Sequence, residues 1–172
     1  TDTARVAKWS FEVEGTDIAK SETFTKNLFD TITNTDGTEE KAVKETDGSL
    51  IAPGTMGKFN LAIENKSEVT ASYTIAYEVT FSDGKTIPLE FTNDVDEAGK
   101  VKTDATWHTD IAEVNQTATE VTYGATATSK TIYWRWSFED TTSESAKQTR
   151  DTSDTELATT GTDVTATLKA TV

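Results

Sequence analysis

The chain has no cysteine among its 172 residues. Disulfides, thiolate metal sites and cysteine nucleophiles are therefore excluded, although secretion is not. Histidine occurs once, at His108. HExxH and Cys/His clusters are absent, so a conventional zinc centre cannot be assembled. A Ser-His-Asp triad would have to use His108, and no GxSxG elbow supports one. His108 reads as a surface residue. There is no Walker loop and no GxGxxG, and the chain is not expected to be an enzyme. Long apolar runs are also missing: none approaches the roughly 18 residues of a membrane helix, so no membrane insertion is expected. Positive charge is scarce, with 16 basic against 30 acidic residues and a net charge of −14. A nucleic-acid backbone or an anionic membrane surface would be repelled. An initiator Met and a signal peptide are absent as well, which points to a processed, secreted chain.

Threonine is abundant, at roughly a fifth of the residues, well above ordinary usage. It is β-branched and suits the wet face of a strand. The apolar residues, 34% of the chain, concentrate in alternating runs. The clearest lie between Ile51 and Phe81. The turn Ala52-Pro53-Gly54-Thr55 opens this stretch. Phe59, Leu61 and Ile63 then share one face, and after the polar turn Glu64-Asn65-Lys66-Ser67 so do Val69, Ala71, Tyr73, Ile75, Tyr77, Val79 and Phe81. Period two means one buried and one wet face. The two runs are expected to form an antiparallel hairpin.

Elsewhere, Ala7, Trp9, Phe11 and Val13 share a face, whereas Ala4 and Val6 have the other parity. Either a bulge or a hinge near Val6-Ala7 accounts for the switch. Phe24 to Ile32 fits both strand and helical spacing, and the threonine content favours strand. Thr33 to Gly48 reads as a surface loop with a short strand at Lys41 to Lys44. Asp83-Gly84 predicts a second hairpin, returning Thr86 to Phe91 onto Thr74 to Phe81, and Pro88 marks that strand as an edge. Thr92 to Asn115 is irregular, with Trp107 and Ile111 as caps on the core, and Val114 to Tyr123 supplies one more strand. Tyr123 to Lys130 reads as a loop. Ile132, Trp134, Trp136 and Phe138 form a dominant aromatic face. Asp154 to Leu157 suggests a helical turn. A last strand places Val164, Ala166, Leu168, Ala170 and Val172 together.

Seven to nine strands without βαβ alternation predict an all-β chain. Two antiparallel sheets packed as a sandwich, jelly-roll or Ig-like, with long polar loops, form one domain over 1–172. No cofactor is expected, with Ca²⁺ left open. Asp94, Asp96 and Glu97, together with the acidic run Asp151 to Glu156, are weak candidates for Ca²⁺ ligands, without an EF-hand pattern. Asn65-Lys66-Ser67 and Asn115-Gln116-Thr117 are glycosylation sequons of a kind that arises often by chance. Trp134 and Trp136 could stack sugars, but their alternation with Ile132 and Phe138 favours core packing.

WSFEVEG at 9–15, LFDTI at 28–32, LIAPGTMGKFNLAIENKSEVTASYTIAYEV at 50–79, YWRWSFE at 133–139 and DVTATLKATV at 163–172 together resemble the TasA/camelysin family. Its members are exported surface and biofilm-matrix proteins of Gram-positive bacteria. The resemblance covers Trp9–Gly15, Asn27–Asp36, Leu50–Val79 and Tyr133–Val172. It implies a jelly-roll-like sandwich that polymerises by donor-strand exchange, each subunit's N-terminal segment completing a sheet of the next. The residues fit this independently. Thr3, Ala4, Arg5, Val6 and Ala7 precede the parity switch, include small apolar side chains and have no hairpin partner in sequence. Strand donation gives affinity through backbone hydrogen bonds, and a head-to-tail contact produces filaments. The expected function is thus a subunit of an extracellular fibre, with copies of itself and other matrix components as partners. A monomeric surface adhesion module is the alternative, and an ordinary intramolecular strand over 1–13 stays open. Camelysin-type members are also described as metallopeptidases, but one histidine and no zinc motif provide no visible machinery for that here.

Overall fold

The computed structural model describes residues 4–33, 51–84, 86–137, 143–146, 148, 149, 152, 155 and 165–172. Alternating burial organises them into two antiparallel sheets. The first sheet has the order β2 (Thr16–Asp17), β1 (Phe11–Val13), β5 (Met56–Asn65), β9 (Thr128–Trp136), β7 (Leu89–Thr92), with β4 (Ile32–Thr33) also pairing with β5. The second has the order β3 (Thr23–Asn27), β10 (Ala166–Thr171), β6 (Ala71–Phe81), β8 (Gln116–Val121). Phe59, Leu61, Ile63, Ile132 and Trp134 from the first sheet meet Tyr73, Ile75, Tyr77, Leu168 and Ala170 from the second in one core. Phe11 packs on Tyr73 and Phe59 on Tyr77 across the interior, with ring centroids 5.8 and 5.7 Å apart. The sandwich expected from the alternation is present.

Two pairings differ from those expected. β5 and β6 do not form a hairpin; they lie in opposite sheets, and their buried faces look at each other. Alternation specifies which face is buried but not which neighbour supplies the ladder. The link from Lys66 to Thr70 is an arch held by buried polar groups. Asn65 Nδ2 donates to the carbonyls of Val69 and Val121 at 2.9 and 2.8 Å, and Asn65 Oδ1 accepts from the Ser67 amide at 3.0 Å. Asn65 is only 1% exposed, so this sequon is sealed inside the fold.

The Asp83-Gly84 signal likewise does not close a hairpin. Ser82–Gly84 is a 3₁₀ turn that carries the chain from the second sheet to β7 at the edge of the first. β6 turns to β10 instead, and the Ser82 amide donates to Thr165 O. Pro88 stands just before edge strand β7, as expected. Phe24 to Ile32 divides into β3, a 3₁₀ turn at Leu28–Thr31 that buries Leu28 and Phe29, and the start of β4. Strand β9 begins at Thr128, earlier than the expected loop allowed. Ile111 joins the core, while Trp107 lies outside it, with the Arg135 guanidinium 4.0 Å from its ring centroid. Lys41 to Lys44, Phe138 and Val164 lie outside the described residues, as does most of Asp154 to Leu157; Thr155 is helical.

Trp134 is the largest of the fully buried side chains among the described residues. Its indole lies over Gly57, its partner on β5. Trp134 Nε1 donates to Thr31 Oγ1 at 2.9 Å, and Phe29 meets the ring edge-on at 6.0 Å. The Ala52–Thr55 turn fixes the same end of the sheet. Gly54 takes φ 94°, its amide donates to Trp136 O, and the Trp136 amide donates to Thr55 O.

A Cβ on Gly57 would fall inside the Trp134 indole. Gly→Ala in open space commonly stabilises by restricting the unfolded chain. Here overpacking dominates. Gly57→Ala is expected to destabilise by about 2 kcal/mol, which lowers Tm by about 4–8 °C for a domain of this size. Thermal unfolding followed by circular dichroism measures this, and an unchanged or raised Tm contradicts the packing described.

Candidate functional site

Among the described residues, the N-terminal segment belongs to no strand and β6 is paired along only part of each edge. Ala4 to Trp9 are exposed and belong to no strand. Regular pairing starts only at Phe11, where β1 lies between β2 and β5. There is therefore no bulge at Val6-Ala7. The intramolecular strand reading holds for 11–13, and there β1 is not an edge. Of the five candidate donor residues, Ala4, Arg5, Val6 and Ala7 are placed in this unpaired stretch, and Thr3 lies outside the described residues.

One carboxylate carries much of the attachment of this stretch. Glu68 Oε2 accepts from Arg5 Nη1 and from the Lys8 amide, both at 2.6 Å, and the Glu68 amide donates to Lys8 O at 3.0 Å. The Arg5 guanidinium, and then the Lys8 amide, hold the Glu68 carboxyl below its ordinary pKa. The ion pair is solvent-exposed on both sides, and exposed pairs hold weakly. Further along, the Ser10 amide donates to Ser67 Oγ and Trp9 Nε1 to Ile18 O. Nothing in the run ENKSE marked Glu68 beforehand. Its role arises from a partner sixty residues away in sequence.

Apolar exposure gathers at the same end of the sandwich. Among the described residues the exposed large apolar side chains are Val6 at 90%, Tyr123 at 67%, Trp9 at 46% and Val69. Val69 lies in the arch beside Glu68. Tyr123 follows Val121, whose carbonyl shares the Asn65 amide with that of Val69.

β6 has two half-open edges. It has 11 residues, but β8 pairs only with Ala71 to Ile75 and β10 only with Ala76 to Phe81. Hydrogen-bonding direction alternates along an antiparallel strand. The Tyr77 amide donates away from β10, to Asn115 Oδ1 at 2.8 Å, and the Ser82 amide donates toward β10. Val79 and Phe81 therefore aim their N–H and C=O groups to the β8 side, beyond the end of β8. Ser72 and Thr74 aim theirs to the β10 side, beyond Thr171. No ladder partner for these four residues is present among the described residues.

Each half-edge opens into a groove. The lower one, of about 310 Å³, runs from Val79 and Phe81 across Ile87, Leu89 and Phe91 to Ile111. The upper one, of about 350 Å³, is lined by Trp9, Phe11, Ile18, Tyr73 and Thr74 among others. Between them the Tyr77 hydroxyl is buried with no partner among the described residues, and burial pushes its pKa up.

Of the calcium candidates, Asp94, Asp96 and Glu97 do not converge, and the acidic residues of the run Asp151 to Glu156 lie outside the described residues. Asp94 Oδ2 accepts from the Thr106 amide, Asp96 Oδ1 accepts from the Ala98 and Lys100 amides, and Glu97 is exposed. These carboxylates fold the irregular loop back on itself. Among the described residues no group of three His, Cys, Asp or Glu side chains could hold a metal ion. His108 Nδ1 is 2.9 Å from Glu113 Oε2. Trp134 and Trp136 are buried core and offer no face to a sugar.

The Glu68 anchor has a defined pH response. A carboxyl with lowered pKa keeps its contacts above its ordinary range and loses them as pH falls through the lowered value. The Lys8 amide proton shift is expected to stay constant as pH falls from neutral and to titrate only below the ordinary glutamate range. Glu68→Gln should abolish that step. A Lys8 titration that survives the substitution would contradict the anchor.

No family model, curated protein or solved structure matches the chain.

Proposed function

We propose that this chain is a structural subunit of an extracellular fibre, at a cell surface or in a biofilm matrix. It polymerises head to tail by donating the segment around Thr1–Ala7 to a neighbouring copy. The observation that carries this reading is the state of residues 4–9. They are exposed, belong to neither sheet and are attached largely through Glu68. A segment that can be released at small cost, beside sheet edges without ladder partners among the described residues, is suited to β-augmentation. The resemblance to the TasA/camelysin family supports the same reading and adds a jelly-roll form and a secreted location. The net charge of −14 suits solubility before assembly.

A monomeric adhesion module is the second reading. It is favoured by one observation: Trp9 and Tyr123 present exposed rings at the end of the sandwich that carries the arch.

Negative-stain electron microscopy separates the two. The 172-residue chain is expected to form filaments, and a version starting at Lys8 is expected to form none. Monodisperse particles from both would remove the fibre reading and leave the adhesion module.

A further inference from the structure

The geometry points to the lower groove, between the C-terminal half of β6 and edge strand β7, as the place where a second copy's N-terminal segment docks. This inference rests on the fibre reading, and it names an acceptor that the reading leaves open.

The first argument is reach. Ser10 is fixed to Ser67 at the arch, where β5 ends and β6 is about to begin. Val6 is four residues ahead of Ser10, so it can travel at most about 14 Å from that anchor. Val79 is eight residues down β6 from Ala71, roughly 27 Å away at strand rise. A subunit therefore cannot place Val6 in its own lower groove. The upper groove differs, because the chain's own Trp9 already lines it.

The second argument is symmetry. Donor and upper groove are at the same end of the molecule. Two copies exchanging segments there would satisfy each other and close as a two-fold dimer. Donor and lower groove are at opposite ends, so each docking leaves one free donor and one free groove. Only that arrangement propagates.

The third argument is fit. The lower groove has an apolar floor of Ile87, Leu89, Phe91 and Ile111 beside the outward-facing backbone of Val79 and Phe81. An incoming strand would gain ladder bonds from β6 while placing small side chains such as Ala4 and Val6 against that floor. Arg5 is the one cation of the donor segment, and on docking it would exchange its exposed pairing with Glu68 for Asp110, which is exposed on the groove lining.

The absence of cysteine in the native chain allows a direct test. Thr109 lines the lower groove and Ser21 the upper, and both are exposed. The full chain carrying Val6→Cys with Thr109→Cys is oxidised mildly and run on a non-reducing gel. A ladder of multimers is expected. Val6→Cys with Ser21→Cys should give no ladder. Covalent dimers, or an intramolecular bond, from the Ser21 pair with nothing from the Thr109 pair would overturn the lower-groove assignment in favour of the upper. Filaments visible by microscopy without Thr109 cross-linking would overturn the assignment while leaving the fibre reading intact. Absence of any filament from the unsubstituted chain would remove the fibre reading and this assignment with it.

Discussion

Strand β6 needs hydrogen-bonding partners along both edges for its whole length, and among the described residues its neighbours supply them for only half of each. Buried backbone groups are nearly always paired, so this shortfall constrains the whole second sheet. β10 takes the lower half of one edge and β8 the upper half of the other. Where β8 gives out, the Asn115 side chain supplies one substitute acceptor, to Tyr77. Past that point no ladder partner is present among the described residues. The alternation of burial along β6 keeps its core face packed throughout, so the strand stays in place while part of its backbone remains unserved.

The first sheet provides the rigidity that makes this tolerable. β5 and β9 run together over a long register from Met56–Arg135 to Ile63–Thr128. The Trp134 indole locks them by occupying the space that Gly57 leaves vacant. The Ala52–Thr55 turn and the Leu28–Thr31 turn close on the same tryptophan and its neighbours. The arch at Asn65 then sends β6 across to the other sheet with its donors satisfied. A stiff first sheet and an incompletely paired second sheet together create the grooves. The same arch carries Glu68, which holds the N-terminal segment by exposed contacts. One turn thus both crosses between the sheets and holds Arg5, Lys8 and Ser10 of the N-terminal segment.

Much of this was legible in the residues. Phe59, Leu61, Ile63, Ala71, Tyr73, Ile75, Tyr77, Ile132, Trp134 and Leu168 all occupy the buried faces that alternation assigned them. The edge position of β7 followed from Pro88. The sheet partners did not follow, because period two carries no information about which strand lies alongside. An arch and a hairpin share the same polar turn composition, and only Asn65, with two long-range carbonyl partners, distinguishes them. The Asp83-Gly84 turn misled for a related reason: β10, from the far end of the chain, takes the edge that a hairpin return would have used. The parity switch near Val6-Ala7 marked the N-terminal segment as distinct, and residues 4–9 do lie outside both sheets. Glu68 and the partly paired edge of β6 were not marked in the sequence, since both depend on where distant strands end.

Backbone amide exchange along β6 in the dilute monomer tests the central claim most directly. The account predicts that Val79 and Phe81 exchange much faster than Ala76, Glu78 and Thr80, although all five are in one continuous strand, and that both become protected on assembly. Uniform protection along β6 in the monomer would mean the edge is already closed, and would contradict the account.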